Sequence, residues 1–115
     1  MKIDEEPLDV CFAYIISIDV SGLKSWLAED EEKALGQAHH TIGGHIRNHF
    51  KLWEGGVIKD WFNTIGIYHA DDMSSIILTS FHRKMNNKPT EIKKQIKRYR
   101  DFWKKQNPRV NKGFL

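Results

Sequence analysis

Apolar residues recur every three or four positions along most of this chain, the period of a helix with one buried face. The first such segment covers residues 8–18, with Leu8, Cys11, Phe12, Ile15 and Ile16 on one side. Pro7 suits the first helical turn, where a missing N–H costs nothing. The run Ala13-Tyr14-Ile15-Ile16-Ser17-Ile18 also fits a strand, but the helical spacing is preferred. Asp19 or Ser21 is placed to cap a short second helix through Leu23, Trp26 and Leu27.

The acidic run Glu29-Asp30-Glu31-Glu32 marks a helix N-terminus, because negative charge there meets the positive end of the helix dipole. That helix continues through Ala34, Leu35, Ala38, Ile42, Ile46 and Phe50. Gly43-Gly44 lies inside it and predicts a kink, a break, or close approach of another backbone. Glu54-Gly55-Gly56 reads as a turn. Val57, Ile58, Trp61, Phe62 and Ile65 form the next helix, ended by a left-handed Gly66. Asp71 is the expected N-cap of a helix whose stripe is Met73, Ile76, Ile77, Ser80, Phe81 and Met85. Asn86-Asn87-Lys88-Pro89 ends it. Thr90 is the expected cap of the last helix, with Ile92, Ile96, Tyr99 and Trp103 on its buried stripe and Asn107-Pro108 as its stop.

The pattern predicts an all-α fold: one domain over residues 1–115, built as a bundle of five or six helices with short connections. Its core spans about residues 8–105, and residues 106–115 form a loose tail. The composition supports a packed core, since 40% of the 115 residues are apolar, with 6 Phe, 4 Trp and 3 Tyr. No window approaches the ~18 uninterrupted apolar residues of a membrane span. The start, Met1-Lys2-Ile3-Asp4-Glu5-Glu6, lacks the basic region of a signal peptide. The lone Cys11 makes neither an internal disulfide nor a multi-cysteine metal site. A cytoplasmic location without membrane contact is expected.

Charge alters this picture. Residues 1–60 hold 6 Lys/Arg against 11 Asp/Glu, while residues 61–115 hold 12 against 4, so the net +3 conceals an acidic half and a basic half. The last helix alone carries Lys93, Lys94, Lys97, Arg98, Arg100, Lys104 and Lys105. Phosphates are attracted to such a face. Tyr99 and Trp103, however, belong to its apolar stripe and are not interleaved for base stacking.

Candidate chemistry is sparse. His45 and His49 are four apart and share a helix face, the spacing that lets two imidazoles reach one ion. His45-Ile46-Arg47-Asn48-His49 lacks the glutamate of a zinc-protease helix, Arg47 adds positive charge, and no third ligand is suitably spaced. Asp71-Asp72 offers a carboxylate pair for acid–base work. The structural alternative is stronger: Asp71 caps a helix and Asp72 pairs with Arg47 in a two-bond fork that pins two helices. His39, His40, Arg47, Asn48, Asp71 and Asp72 are therefore read as a structural polar network. A small hydrolase using His39, His40 and Asp72 is the weakest reading. No catalytic residue, metal ligand or cofactor is assigned.

Several separated motifs occur in order: His39-His40 with Gly43, Ile46-Arg47-Asn48, Leu52-Trp53, and His69-Ala70-Asp71-Asp72-Met73-Ser74. A final amphipathic stretch follows, from Gln95 through Tyr99 to Trp103. In these the chain resembles a bacterial domain family of unknown function, over roughly residues 8–105. His45 stands where an aromatic is expected, Lys51 where a small residue is expected, and Ala70 where proline is usual. The resemblance brings no catalytic residues. Some small domains of this kind resemble immunity proteins, which neutralise a toxin. The expectation is thus a non-enzymatic protein that binds a protein partner, a toxin domain encoded nearby, and occludes its active site. Trp53, Trp61, Lys94, Arg98 and Lys105 are the expected contacts, since Trp and Arg favour interface hot spots. The alternative is a nucleic-acid-binding regulator using the basic last helix.

Overall fold

The computed structural model describes residues 2–18 and 21–106. Helices make up 71% of it, and no strand occurs among the described residues. In chain order they are α1 (Glu6–Ser17), α2 (Leu23–Ala28), α3 (Glu31–Ala38), α4 (Ile42–His49), α5 (Val57–Thr64), α6 (Ala70–Met85) and α7 (Ile92–Gln106). The all-α expectation holds, with seven helices in place of five or six. The stretch that also fitted a strand is the second half of α1. Gln106, the first residue of the expected tail, is the last of α7, while the rest of that tail, with Asn107-Pro108, lies outside the described residues, as does Asp19.

The helix expected to run from the acidic run to Phe50, with a kink, a break or a close backbone approach at Gly43-Gly44, is two helices. Asp30 caps α3 by accepting the Lys33 N–H at 3.0 Å. The break falls at residues 39–41, ahead of the glycine pair. Thr41 leaves the helical region there, with φ −93° and ψ −91°. Gly43 sits in the first turn of α4 and is needed for close approach. A Cβ on it would lie 3.0 Å from Arg47 Nη1 and 3.2 Å from the Ala38 carbonyl oxygen.

α6 is buried around most of its circumference, from Ala70 and Met73 through Ile76, Ile77 and Leu78 to Phe81 and His82. A helix that is apolar on most sides needs neighbours on most sides. α1, α3, α4, α5 and α7 all pack on it. Phe81 lies 5.5 Å from the Phe12 ring and 6.3 Å from the Trp26 ring. Cys11 is fully buried in the same core, and burial pushes its thiol up to about 12. The expected faces are otherwise trimmed at their edges: Ile16 and Met85 are exposed because each lies on the rim of its stripe.

Several buried polar groups on these elements are paired, as burial favours. Trp26 Nε1 donates to the Ala34 carbonyl at 2.6 Å, and His82 Nε2 lies 3.0 Å from the Glu29 carbonyl. Gln95 Nε2 donates to Ser80 Oγ and to the Thr90 carbonyl. Arg83 grips Glu31 with two parallel bonds of 2.6 and 3.1 Å and donates its third arm to the Thr90 carbonyl. That fork holds the Glu31 carboxyl below its ordinary range and raises Arg83 further.

Helix ends explain much of the path. α4, α5 and α6 each close with the same two-bond reversal around a left-handed residue, and after α4 and α5 the next residue, Leu52 or Ile67, is buried. At α5 the left-handed residue is Gly66, φ +86°, as the sequence predicts. At α4 it is Lys51, φ +53°, and at α6 Asn87, φ +57°. Three expected caps are displaced. Gly22, φ +81°, precedes α2 in place of Ser21. His69 caps α6 in place of Asp71, its Nδ1 accepting the Asp71 N–H at 3.1 Å. Thr90 donates to Glu5 Oε1 at 2.9 Å, so its hydroxyl ties the start of the chain to the α6–α7 connection.

Candidate functional site

The polar network forms around Arg47, with changed partners. Its side chain is only 11% exposed. Nη1 donates to Ser74 Oγ at 2.9 Å, Nη2 to the His39 carbonyl at 3.0 Å, and Nε lies 3.6 Å from Asp71 Oδ1. Arg47 therefore staples the α3–α4 connection and α4 to the first turn of α6. The expected fork to Asp72 does not form. Asp71 occupies that side because His69, two positions earlier than expected, caps the helix. His39 takes part through its carbonyl. His40 is exposed, with its ring edge-on to that of His39. Asn48 is exposed and contributes its carbonyl, which accepts the Lys51 N–H. His45 and His49 are exposed, and His49 stacks on Tyr14 with ring centres 3.9 Å apart. Among the described residues no three His, Cys, Asp or Glu side chains converge as ligands for a metal.

Asp72 is instead part of an aromatic cluster that the sequence did not announce. The reversal at Lys51 buries Leu52 and turns Trp53 outward, where it is 56% exposed. The Trp53 ring meets the His69 ring edge-on at 5.2 Å. On the other side of His69 lies Trp103 of α7, stacked at 5.7 Å with an angle of 22° between planes. Phe102 meets Trp103 at 5.3 Å. Trp103 Nε1 donates to Asp72 Oδ2 at 2.7 Å, which fixes the orientation of the indole. Burial is the main influence on Asp72 and raises its carboxyl above the ordinary range. The Trp103 bond and His69 offset part of that rise.

Three distant segments thus converge: the turn after α4, the connection before α6, and the end of α7. Trp103 was expected to be buried. It is 38% exposed, because the buried residues of α7 are Ile92, Gln95 and Ile96, all in its first two turns. Beyond Tyr99, which is half-buried against the core, the helix outruns it. The dense cations from Arg98 to Lys105 were the available signal, since they narrow any buried stripe.

Those cations flank the apolar stripe on two sides. Lys94 and Arg98 meet Arg83 and Lys88 in a surface cleft of about 390 Å³. Lys93, Lys97, Arg100 and Lys104 line a larger cleft of about 790 Å³ against the α5–α6 connection. Of the expected contact residues, Lys94 and Arg98 come together and Trp53 joins the aromatic cluster. Lys105 is exposed on the last turn and lines neither cleft. Trp61 is half-buried, packed against the core with its ring 4.7 Å from Phe62. No described helix is long and apolar enough to cross a membrane.

No curated protein and no solved structure matches the chain. A family match does exist, and it covers less than the expected residues 8–105, leaving α7 beyond its end. It runs over residues 6–85, from the first residue of α1 to the last of α6, and by it the chain belongs to the family described as Domain of unknown function (DUF6794).

Proposed function

We propose that this is a non-enzymatic binding protein whose docking face is the cluster of Trp53, His69, Phe102 and Trp103 with its basic flanks. In its finer form it is a bacterial cytoplasmic immunity protein that occludes the active site of a toxin domain encoded nearby. The observation that carries the reading is an exposed aromatic group already held in place. Trp103 is anchored to Asp72 and stacked on His69, which in turn contacts Trp53. Large rings of this type dominate interface energetics, and fixing them beforehand lowers the entropy cost of association. The surrounding Lys and Arg favour a partner with an acidic face and speed the encounter.

The test is co-expression with the product of the adjacent gene, followed by measurement of complex affinity and of cell survival. The complex is expected to protect cells, and the Trp53→Ala/Trp103→Ala pair to weaken it at least about tenfold. A neighbouring toxin that neither binds nor is neutralised sinks the immunity form. A complex indifferent to both substitutions sinks the docking face.

The row of cations on α7 favours a second reading, a nucleic-acid-binding regulator. Its affinity for duplex DNA or RNA would fall steeply with salt. A shallow salt response with weak binding at low ionic strength eliminates it.

A further inference from the structure

We infer that the larger cleft beside α7 takes an extended acidic segment of the partner protein, with its carboxylates on the α7 cations and a main-chain N–H on Asn63. The inference rests on the binding reading above and concerns a surface next to the aromatic cluster.

Lys93, Lys97, Arg100 and Lys104 follow an i, i+4, i+7, i+11 series, so they form one stripe along α7. At 1.5 Å per residue the stripe is about 16 Å long. An extended peptide rises about 3.3 Å per residue and presents alternate side chains on one face, about 6.6 Å apart. The cations are spaced by about 6, 4.5 and 6 Å along the axis. Alternating acidic residues therefore stay within about 3 Å of the cations along the stripe, a mismatch that flexible Lys and Arg side chains can span.

Two further features distinguish this cleft from a generally basic surface. Arg100 is seated by Gly66: a Cβ there would lie 2.8 Å from Arg100 Nε and 2.9 Å from its Cδ. The missing side chain lets the Arg100 stem cross the α5–α6 connection at the edge of the cleft. Asn63 also lines the cleft, and its Oδ1 is buried without a hydrogen-bond partner among the described residues. A buried acceptor calls for a donor. Phosphate groups bring further acceptors and no N–H, whereas a peptide brings carboxylates for the cations and an amide N–H for Asn63. Asp101 points the same way. It sits among the cations, bonded to Lys97 at 2.5 Å, and disfavours a dense polyanion.

The test uses a fluorescein-labelled heptapeptide of alternating glutamate and glycine, followed by anisotropy at low ionic strength. Saturable binding to the full chain is expected. Joint Lys93→Ala, Lys97→Ala, Arg100→Ala and Lys104→Ala substitution should weaken it at least about tenfold, while Lys94→Ala/Arg98→Ala changes it by less than about twofold. Asn63→Leu should weaken it about threefold or more with helix content unchanged. Absence of saturable binding overturns the inference. So does an equal loss in the Lys94/Arg98 pair, no effect of Asn63→Leu, or displacement by a single-stranded oligonucleotide at lower concentration than by unlabelled peptide. The Trp53→Ala/Trp103→Ala pair should bind this peptide normally, so failure of the cleft and failure of the aromatic docking face are separately visible.

Discussion

α6 and α7 are 16 and 15 residues long, yet α6 buries ten of its side chains and α7 three. α6 packs against α1, α3, α4, α5 and α7 and carries the polar staples to Arg47 and Glu31. α7 is anchored at its start by Ile92, Gln95 and Ile96, and its second half projects cations and two exposed rings. The family match ends at the last residue of α6. The shared part of the chain is therefore the packed scaffold. Most of the surface chemistry proposed for binding is added by the helix that follows, and it is presented to Trp53 and His69 of that scaffold.

Substitutions break this contrast in graded fashion. Phe81→Ala should cost about 3–5 kcal/mol in chemical denaturation, because it empties the centre between Phe12 and Trp26. No comparable loss is expected from lysines of α7, where surface changes stay within about 0.5 kcal/mol. Arg47→Met should cost about 2–3 kcal/mol, since it strands Ser74, Asp71 and the His39 carbonyl at a part-buried joint. The thermal midpoint should fall clearly while far-ultraviolet circular dichroism at low temperature stays unchanged. Lys51→Gly works in the opposite direction. Lys51 holds φ +53°, a region glycine enters freely, so the variant should gain about 1 kcal/mol in the same unfolding assay.

The smallest effect tests the link between the two helices. Asp72 has a folded-state carboxyl raised above its ordinary value of 3.8. Its contribution is intact below that value, where both states are protonated, and is lost as pH rises through the raised value. Asp72→Asn keeps an acceptor for Trp103 without the buried charge. It should melt slightly higher than wild type near neutral pH, by under about 1 kcal/mol given the partial exposure, and the gap should close below pH 3.8. A variant that melts lower at neutral pH would show that the charged form of Asp72 is what holds Trp103.

Helix positions were legible because they depend on near neighbours: Leu8, Cys11, Phe12 and Ile15 face inward together, as their spacing requires. Boundaries were less so. A reader of local signals sees Asp71 as a cap, yet His69 also supplies an acceptor, and the contacts of Arg47 and Trp103 decide which residue starts α6. The break between α3 and α4 was misplaced at the glycine pair because nothing between Ala38 and Ile42 resembles a turn signal. The aromatic cluster was the least visible. It joins positions 53, 69 and 103, and no periodicity connects residues on three separate segments. The pattern counted Trp103 as core because it sits four residues after Tyr99. It had no means of showing that the core ends before that turn.

Cys11 gives the molecule a built-in clock. Its sulfur is sealed in the centre and its thiolate is suppressed, so an alkylating reagent gains access only when the centre opens. The rate of modification in native buffer then counts those openings. A ligand that clamps α7 onto the scaffold should slow that count without touching the sulfur.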